Sequence, residues 1–199
     1  MTFDELNIEL GNIDIYLLDQ LLKGKILKKY KILDAGCGEG RNLVYFTNNE
    51  FDVYGVDNNP LAIKMLRMRA ASYEPDRFIE STIEEMIFPP NIFDYIISSA
   101  VLHFAKNHKH FNAMVNAMVN VLKPKGTLFV RMATDLGLNQ MKLTKSGVYN
   151  LPDGTQRYLF PINELNHFLD IHGLSLLEPM KTVVVHQHRN MGVMLFKKN

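Results

Sequence analysis

The sequence predicts an α/β fold, in which helices cover both faces of a mostly parallel sheet. Five predicted strands alternate with helical segments, and such alternation requires parallel strands joined by right-handed crossovers. The first strand runs directly into a glycine-rich turn, as in α/β proteins that bring their backbone close to a ligand. Two further strands close the chain around residues 189–190, and the hairpin between them requires one antiparallel strand.

Size and composition are those of an ordinary single-domain globular protein. The chain has 199 residues, enough for a full core, of which 47% are hydrophobic and 22% are charged. The formal net charge of +1 gives no electrostatic reason to expect nucleic acid or an acidic membrane as a partner. Cys37 is the only cysteine, which excludes an internal disulfide and fits a reducing compartment. No apolar run has the length of a leader or a membrane span, so we expect residues 1–199 to form one cytoplasmic domain.

The first half of the chain is expected to form four strands and three helices. Residues 13–22 carry apolar side chains at helical spacing, with Asn12 as the cap and Gly24 as the stop. Pro60 favours a helix start, because proline is tolerated in a first turn. The continuous apolar centre of residues 93–98 predicts a strand that is covered on both faces. In chain order, the expected elements are a helix over 13–22, a strand at 32–33, a helix from 43, a strand over 52–56, a helix over 60–71, and strands over 77–80 and 93–98.

The second half begins with the most regular helical pattern in the sequence. Apolar residues separated by three and four positions mark the buried face of this helix: Phe111, Met114, Val115, Met118, Val119 and Leu122. Residues 123–126 are expected to end it. The remaining elements expected are a strand over 127–132, a helix over 161–172 that ends at Gly173, and strands over 174–187 and 191–197. Pro179 marks the first of these final strands as an edge strand, because proline cannot donate to a neighbouring strand.

The stretch 31–42, KILDAGCGEGRN, has the most specific pattern in the chain. A short buried strand passes through Asp34 into three glycines, which allow a tight turn and a close approach of the backbone to a ligand. The glycines are spaced G-x-G-x-G, whereas a dinucleotide fingerprint reads G-x-G-x-x-G. Glu39 is expected at the N-terminus of the following helix, where a pyrophosphate would otherwise bind. The stretch therefore predicts a nucleotide-like ligand without phosphate, and S-adenosylmethionine fits this description.

The segment DAGCGEG resembles motif I of the class I S-adenosylmethionine-dependent methyltransferases, and the following GRN resembles their small-molecule, tellurite-resistance-like branch. The similarity runs from about residue 31 to residue 125. It implies a Rossmann-like, seven-stranded, mostly parallel sheet in the order 3-2-1-4-5-7-6, with strand 7 antiparallel and helices on both faces. It also implies S-adenosyl-L-methionine as the cofactor, S-adenosyl-L-homocysteine as the product, and an N-terminal helix within residues 1–30 that covers the cofactor.

Candidate cofactor contacts follow the strands, because ligands of open α/β sheets bind beyond the carboxyl ends, near the switch between strands 1 and 4. The carboxylate of Asp57, after strand 2, can accept both ribose hydroxyls. By resemblance, Thr82 stands at the position of an adenine-binding acid, and the backbone N–H of Ile83 meets the base. The resemblance also places the backbone of Ser98 opposite the methionine amine and leaves room for the methyl group at Ala100. The expected cofactor-binding residues are Asp34, Gly36, Cys37, Gly38, Arg41, Asn42, Asp57, Asn58, Thr82, Ile83, Ser98, Ser99 and Ala100.

The acceptor side carries weaker patterns. His103, which follows strand 4, is either a general base or a packing residue that shields the cofactor, and both interpretations stay open. Six residues are candidate substrate contacts at the rim, with an ordinary surface position as the alternative for each: Tyr149, Arg157, Tyr158, His186, His188 and Arg189. The pairs His108–His110 and His186–His188 have no cysteine or carboxylate at ligand spacing, so we predict no metal site.

The stretch from Thr134 to Phe160 is polar, contains glycine and has little periodicity. Loops of this length in compact domains tend to be functional. Strand 5 leads the stretch to the carboxyl edge of the sheet, so we predict that residues 134–160 form a lid that closes over the acceptor. The alternative is a fixed surface excursion.

The predicted function is transfer of a methyl group from S-adenosylmethionine to a small-molecule acceptor by in-line displacement. The chain is short and has no added substrate domain, so we expect a small molecule as its partner, without nucleic acid or membrane. We expect a monomer or a homodimer. An alternative from another class is a catalytically silent S-adenosylmethionine-binding sensor or partner subunit, which the same motif would serve. An NAD-dependent oxidoreductase is a third interpretation, which Glu39 and the glycine spacing disfavour.

Overall fold

A computed structural model describes residues 2–137, 142–144, 147–151, 154–185 and 189–199, except for the side chains of Lys142, Val185 and Arg189. Its helices are α1 (Phe3–Leu10), α2 (Ile15–Leu22), α3 (Val44–Asn48), α4 (Pro60–Arg69), α5 (His108–Val121) and α6 (Leu165–His172), with short 3₁₀ helices at Pro75–Arg77, Leu102–Phe104 and Ile162–Glu164. Its strands are β1 (Lys31–Ala35), β2 (Asp52–Asp57), β3 (Phe78–Glu80), β4 (Phe93–Ser99), β5 (Leu122–Ala133), β6 (Lys142–Leu143), β7 (Tyr149–Asn150), β8 (Gln156–Arg157), β9 (Leu174–Leu176), β10 (Lys181–Val185) and β11 (Arg189–Lys198).

The central sheet has the predicted strand order. Its strands run β3-β2-β1-β4-β5-β11-β10, where β10 and β11 are the sixth and seventh strands of the prediction. The strands β1 to β5 pair in parallel, and β11 is antiparallel to both β5 and β10. The order 3-2-1-4-5-7-6 with an antiparallel seventh strand is therefore confirmed.

The predicted strand over 174–187 is divided in two by the structure. Its first part, β9, pairs with β11 beside the main path of the sheet, and its second part, β10, lies at the outer edge. Pro179 lies in the interruption between them, where its missing N–H removes no hydrogen bond from a strand ladder. The edge position that Pro179 predicted is confirmed for β10.

The core lies in two layers, one on each face of the sheet, and β4 separates them. Because successive side chains of a strand point to opposite faces, Ile96 packs into the cluster covered by α5, and Ile97 packs into the cluster with residues of α3 and α4. Both isoleucines are 0% exposed. The strand covered on both faces and the helices on both faces of the sheet are thus confirmed.

Two element boundaries differ from the prediction. The cap of α2 is Asp14 instead of Asn12, because the Asp14 carboxylate accepts a hydrogen bond from the backbone N–H of Tyr16 at 3.0 Å. Leu122, expected as the last buried residue of a helix, begins β5 and pairs with Phe93 of β4. The strand β5 is therefore longer at its start than the expected range of 127–132.

The helix α1 precedes the predicted N-terminal helix and was not predicted. A reciprocal capping box holds its first turn, since Thr2 Oγ1 accepts from the Glu5 N–H and the Glu5 carboxylate accepts from the Thr2 N–H. The pattern T-x-x-E is present in the sequence, but no residue of α1 is buried, so the helix lacks a clear apolar face. Across the described ranges, no helix is both long enough and apolar enough to cross a membrane.

The described residues of the stretch 134–160 contain more secondary structure than a weakly patterned loop. Its described residues include the short strands β6, β7 and β8, which pair in that order as a separate antiparallel sheet. An isolated bridge between Thr134 and Phe160 joins the two ends of the stretch. Strands of two residues are too short to show a period of two in the sequence, which explains why they are missed. The expectation that residues 134–160 act as a lid stays a prediction.

Candidate functional site

A cleft of about 640 Å³ opens at the carboxyl ends of the central strands, beside the switch between β1 and β4. The glycine loop after β1, the end of β2, the loop after β3 and the turn after β4 form its walls. The residues that line it are Gly36, Arg41, Asp57, Asn58, Asn59, Ser81, Thr82, Ile83, Glu84, Ser99, Ala100, Val101, Phe104, Lys106, His110 and Met114. Eight of these residues are also predicted cofactor contacts.

The three glycines of the loop differ in what surrounds them. A Cβ at Gly36 would lie 2.3 Å from Val101 Cγ2, and a Cβ at Gly40 would lie 2.4 Å from Leu66 Cδ1. Both positions therefore need glycine for packing within the fold. Gly38 also has a positive φ of +52°, but a Cβ built there meets no heavy atom within 4 Å. The backbone of Gly38 thus borders open space and leaves room for a ligand.

Asp57 connects the end of β2 to the glycine loop. Its Oδ2 accepts a hydrogen bond from the Gly38 N–H at 2.8 Å, and its Oδ1 accepts from the Asn59 N–H at 2.9 Å. Because a carboxylate offers about four lone-pair directions, each oxygen keeps capacity for a second donor. The two backbone contacts hold the carboxylate in place before any ligand binds, which suits a role in receiving two hydroxyl donors.

Asp34 is a buried carboxylate at the carboxyl end of β1, two residues before Gly36. Its residue surface is 1% exposed, and neither carboxylate oxygen has a hydrogen-bond partner within the described ranges. Burial raises the pKa of Asp34 to about 7, against the nearby positive charge of Arg41, which lowers it. A cationic group bound in the adjoining cleft would favour the charged form of this carboxylate.

We expect Asp34→Asn to stabilise the cofactor-free protein at pH 8 and to have a much smaller effect at pH 5. The folded carboxyl holds its proton up to about pH 7, but the unfolded one only up to about 3.8. Stability from this group is therefore complete below about pH 4 and is lost as the pH rises through about 7. Thermal unfolding of both proteins at the two pH values measures this, and an equal difference in Tm at both would contradict it.

A buried ion-pair network joins the start of α2 to the cleft. Asp14 Oδ2 lies 2.9 Å from Arg131 Nη1 and 4.0 Å from Arg41 Nη2. The same oxygen accepts a hydrogen bond from the Ser99 hydroxyl at 2.8 Å. The Asp14 N–H donates to Asn42 Oδ1 at 3.0 Å. The Asp14 side chain is 0% exposed. Arg41 and Ser99 line the cleft, so this network brings the N-terminal helix against the candidate site.

Asp14 and Arg131 are functional candidates that sequence reasoning misses. They stand 117 residues apart, one at a helix cap and one inside a strand, and no local pattern relates them. Asn42 is a predicted cofactor contact, but it is 4% exposed and its side chain holds Asp14. Its role in the structure is to support the site.

Two loop residues lie elsewhere than expected. The Glu39 carboxylate pairs with Arg69 of α4 at 3.2 Å, so the expectation that it occupies the N-terminus of α3 is wrong. Its side chain is about half exposed. The Cys37 side chain is buried, 2.8 Å from where a Cβ on Gly55 would lie, which leaves its backbone for a ligand. Burial also raises the pKa of the Cys37 thiol well above its usual value.

The turn after β4 holds one strained residue. Ala100 has a φ of +64°, in the left-handed region that a residue with a Cβ rarely adopts. Its backbone N–H donates to Arg131 O at 2.7 Å, which fixes the turn to β5.

Two predicted site residues on either side of this turn are buried. Ser98, just before the turn, is 0% exposed and does not line the cleft. His103 is buried too, with its ring centroid 4.6 Å from that of Phe104, a cleft residue. Both interpretations of His103 therefore stay open.

The predicted rim residues do not form one group. The expected rim position of Tyr158 is wrong, because its ring is stacked on Phe111 at 4.7 Å and only 4% of the residue is exposed. Arg157 contacts the cleft residue Phe104, with its guanidinium 4.6 Å from that ring centroid, but does not itself line the cleft. Tyr149 pairs with Arg157 in the small sheet. His186, His188 and the side chain of Arg189 lie outside the described residues.

The His108–His110 pair serves two different partners. His108 Nδ1 lies 2.8 Å from the Tyr158 hydroxyl, and His110 Nε2 lies 2.9 Å from Glu84 Oε1. The two rings are thus engaged in separate hydrogen bonds. Wherever the structure describes the chain, it holds no group of three or more His, Cys, Asp or Glu side chains placed for a metal ion.

Comparisons with known proteins agree with this geometry. A family model for a methyltransferase domain matches residues 33–130. The uncharacterized methyltransferase YodH of Bacillus subtilis is 29% identical over 98 residues, which are 49% of this chain and 40% of that protein. The probable S-adenosyl-L-methionine-dependent methyltransferase TehB of Haemophilus influenzae is 33% identical over 88 residues, 43% of this chain and 30% of that protein. The chain thus spans less than half of the length of these curated relatives.

A solved structure of the same fold is that of the 1,6-didemethyltoxoflavin-N1-methyltransferase of Burkholderia thailandensis with bound 1,6-didemethyltoxoflavin and S-adenosylhomocysteine. The two chains superpose with a TM-score of 0.70 at 17% identity, over 98% of this chain and 82% of that one. The similarity to TehB agrees with the predicted resemblance to the tellurite-resistance-like branch. The predicted resemblance to the class I S-adenosylmethionine-dependent methyltransferases is confirmed, because residues 33–130 match a methyltransferase domain and the strand order is the expected one.

Proposed function

We propose that the protein transfers a methyl group from S-adenosylmethionine to a small-molecule acceptor. The observation that carries this proposal is the pair of carboxylates beside the open glycine loop. Asp57 is held by the Gly38 N–H and keeps free acceptor capacity, and Asp34 is buried without a hydrogen bond to any described residue. A ribose presents two hydroxyl donors and a methionine tail presents an ammonium group, so the two acids match the two donor sets of this cofactor.

The chain's own groups then position the reactants. Asp57 orients the ribose, Asp34 stabilises the ammonium group, and Arg41 at the cleft wall binds the carboxylate of the methionine tail. S-adenosylmethionine supplies an activated methyl group on a sulfonium. The acceptor's lone pair forms a bond to the methyl carbon as the carbon–sulfur bond breaks, and alignment of the two atoms accelerates the displacement. For an acceptor that must lose a proton, we propose His103 as the base, because it adjoins the cleft residue Phe104.

The acceptor that we propose is a small diffusing molecule. The net charge of +1 offers no broad attraction to nucleic acid or to an acidic membrane surface. The single cysteine, which is buried, suits a cytoplasmic protein. A monomer or homodimer is the proposed assembly, and sedimentation analysis distinguishes the two.

Thermal shift tests the cofactor, and a transfer screen tests the activity. S-adenosylhomocysteine is expected to raise the Tm and NAD is not, because a ligand stabilises the folded state that binds it. Incubation with labelled S-adenosylmethionine and thiols, phenols, amines or tellurite then identifies the acceptor class. Stabilisation by NAD alone would overturn the proposal. Tight binding of S-adenosylhomocysteine with no transfer to any acceptor would favour the catalytically silent alternative.

We expect Asp57→Ala to weaken binding of S-adenosylhomocysteine about thirtyfold while the protein stays folded, because a charge-assisted pair of hydrogen bonds is worth about 2 kcal/mol. Calorimetric titration measures the affinity. Asp52→Ala is a suitable control, since that carboxylate lies in the same strand, pairs with Lys31 and Arg77, and does not line the cleft. An unchanged dissociation constant for Asp57→Ala would refute the assignment.

We also propose that residues 134–160 form a lid over the acceptor. The stretch is tied to the fold near its ends, where Phe160 N donates to Ala133 O at 3.0 Å and Tyr158 N donates to His103 O at 2.9 Å. Between these points the small sheet of β6 to β8 is separate from the central sheet. Hydrogen exchange across 134–160 is expected to slow when S-adenosylhomocysteine binds. Exchange that is already slow and does not change with ligand would leave a fixed excursion instead.

A further inference from the structure

The first two helices border an apolar groove that plays no part in the proposed function. The groove has a volume of about 930 Å³ and lies between α1, α2 and α3. Five leucine side chains form its apolar lining: Leu6 and Leu10 of α1, and Leu18, Leu21 and Leu22 of α2. Among the described residues, none lines both this groove and the cleft at the carboxyl ends of the strands. The groove is therefore a separate surface of the protein.

An apolar stripe runs along α1 towards the groove. Phe3, Leu6 and Leu10 are separated by three and four positions, so their side chains lie on one face of the helix. Leu6 and Leu10 line the groove, whereas Phe3 is 80% exposed and does not line it. No residue of α1 is buried, and eight residues are too few for a stable isolated helix. We therefore expect contacts with a partner to stabilise this stripe.

Polar contacts hold α1 beside α3 without covering the stripe. Asn48 Nδ2 donates to the backbone oxygen of Ile8 at 3.0 Å, and Asn49 Nδ2 donates to Glu9 Oε1 at 2.6 Å. The partner of Glu9 is thus a neutral amide, which does not compensate the charge of a carboxylate. Because Glu9 lines the groove, this charge lies at the edge of an apolar surface.

The surface around the groove carries both signs of charge, in separate segments. The helix α1 contains Asp4, Glu5 and Glu9 and no basic residue. Residues 23–31, which follow α2 directly, contain five lysines and no acid. The formal net charge of +1 thus averages over an acidic helix and a basic segment.

The basic segment borders the groove. It begins directly after Leu22, a groove residue that is 80% exposed. Lys28 Nζ lies 4.8 Å from the ring centroid of Phe51, and that ring lies 6.1 Å from the ring of Tyr45, which lines the groove. No ion pair within the described ranges involves Lys25 or Lys28, so both are available to an acid of a partner.

Such a surface is complementary to itself. In a dimer with twofold symmetry the same patch of both copies is in contact, so the acidic helix of each copy can face the basic segment of the other. An occupant of the groove needs cationic groups beside apolar side chains, and residues 22–28 of a second copy provide both. Aromatic residues are enriched at protein interfaces, which suits the exposed Phe3.

We infer that the protein forms a twofold dimer in which Phe3 of each copy enters the groove of the other, and α1 of each copy faces residues 23–31 of the other. The inference goes beyond methyl transfer and does not depend on it. It selects the homodimer from the two proposed assemblies and assigns its interface.

Sedimentation velocity over a range of protein concentrations measures the dissociation constant of the dimer. Wild type is expected to sediment as a dimer, at twice the chain mass of 22.9 kDa. Phe3→Ser and Leu22→Ser are each expected to weaken the dimer at least about tenfold, because each removes an apolar contact from both copies. Ile8→Ser is the matched control and is expected to keep the wild-type dissociation constant. Ile8 is 72% exposed in the same helix, but it lies outside the apolar stripe of α1.

An exchange of charges tests how the two copies face each other. Glu9→Lys alone and the double variant Lys25→Glu/Lys28→Glu alone are each expected to be monomeric at concentrations where wild type is dimeric, because like charges then meet at both contacts. An equimolar mixture of the two variants is expected to form a dimer again, because every contact then joins opposite charges. Circular dichroism first establishes that each variant is folded.

The outcomes decide between this interface and its alternatives. Wild type that stays monomeric at every concentration would overturn the inference. A dimer that Phe3→Ser and Leu22→Ser leave unchanged would show that another surface forms it, which contradicts the inference as well. Loss of the dimer in these variants without recovery in the mixture of charge variants would refute the pairing of α1 with residues 23–31. None of these results bears on the proposed function, which the affinity for S-adenosylhomocysteine tests separately.

Discussion

Gly38→Val is expected to leave a folded protein that binds S-adenosylhomocysteine at least about a hundredfold more weakly than wild type. A Cβ at Gly38 meets no heavy atom within 4 Å, so the substitution does not disturb packing inside the fold. The branched side chain instead fills the open side of the loop, and it must adopt a φ of +52°, which strains a β-branched residue. Circular dichroism establishes that the variant folds, and calorimetric titration then measures the affinity.

Gly24→Val is the matched control for this prediction. Gly24 also has a positive φ, +64°, and open space at its Cβ position, but it follows α2 and lies outside the glycine loop after β1. Gly24→Val should therefore cause similar backbone strain without weakening the binding of S-adenosylhomocysteine. Gly36→Ala is expected to have the opposite effect and to lower the stability of the fold. The Cβ of the new alanine would lie 2.3 Å from Val101 Cγ2. Normal affinity in folded Gly38→Val would exclude the glycine loop from the ligand site.

The fold was predictable because its signals are local. Each central strand is a short apolar run, and each covering helix has apolar residues at spacings of three and four, as in α5 with buried Phe111 and Met118. The glycine loop is equally local, since three glycines must permit positive φ values within five residues. What escaped prediction had little local signal: α1 buries no residue, and β6 to β8 have two residues each.

The site was predictable only where residues follow strand ends. The strand-end rule selected Asp57, the family resemblance added Thr82 and Ala100 after later strands, and all three line the cleft. Residues that reach the site from distant segments were missed, because contacts such as the one between Glu84 and His110 depend on tertiary packing. Tyr158 was misplaced for the same reason. It follows the polar residues Gln156 and Arg157, but its ring packs on Phe111 and its hydroxyl bonds to His108, so tertiary contacts bury it.

The buried carboxylate of Asp14 contacts several residues that are distant in the sequence. It caps α2, accepts the Ser99 hydroxyl and pairs with Arg131, and it also lies near Arg41. Its side chain is 0% exposed, whereas those of Arg131 and Arg41 are 26% and 45% exposed. Solvent therefore stabilises part of the positive charge, while the carboxylate depends on the protein for all of its hydrogen bonds.

Asp14→Ala is accordingly expected to lower the free energy of unfolding by about 3 kcal/mol, because it leaves Arg131 without its partner and removes the cap of α2. Asp14→Asn separates these causes, since asparagine caps a helix as well as aspartate but carries no charge, and should lose less. Asp19→Ala is the exposed counterpart, because Asp19 pairs with Lys23 and Lys181 but its side chain is 37% exposed, so only a small fraction of that loss is expected. Urea titrations of the three variants measure the differences. Equal losses for Asp14→Ala and Asp19→Ala would show that burial of the Asp14 network does not stabilise the fold.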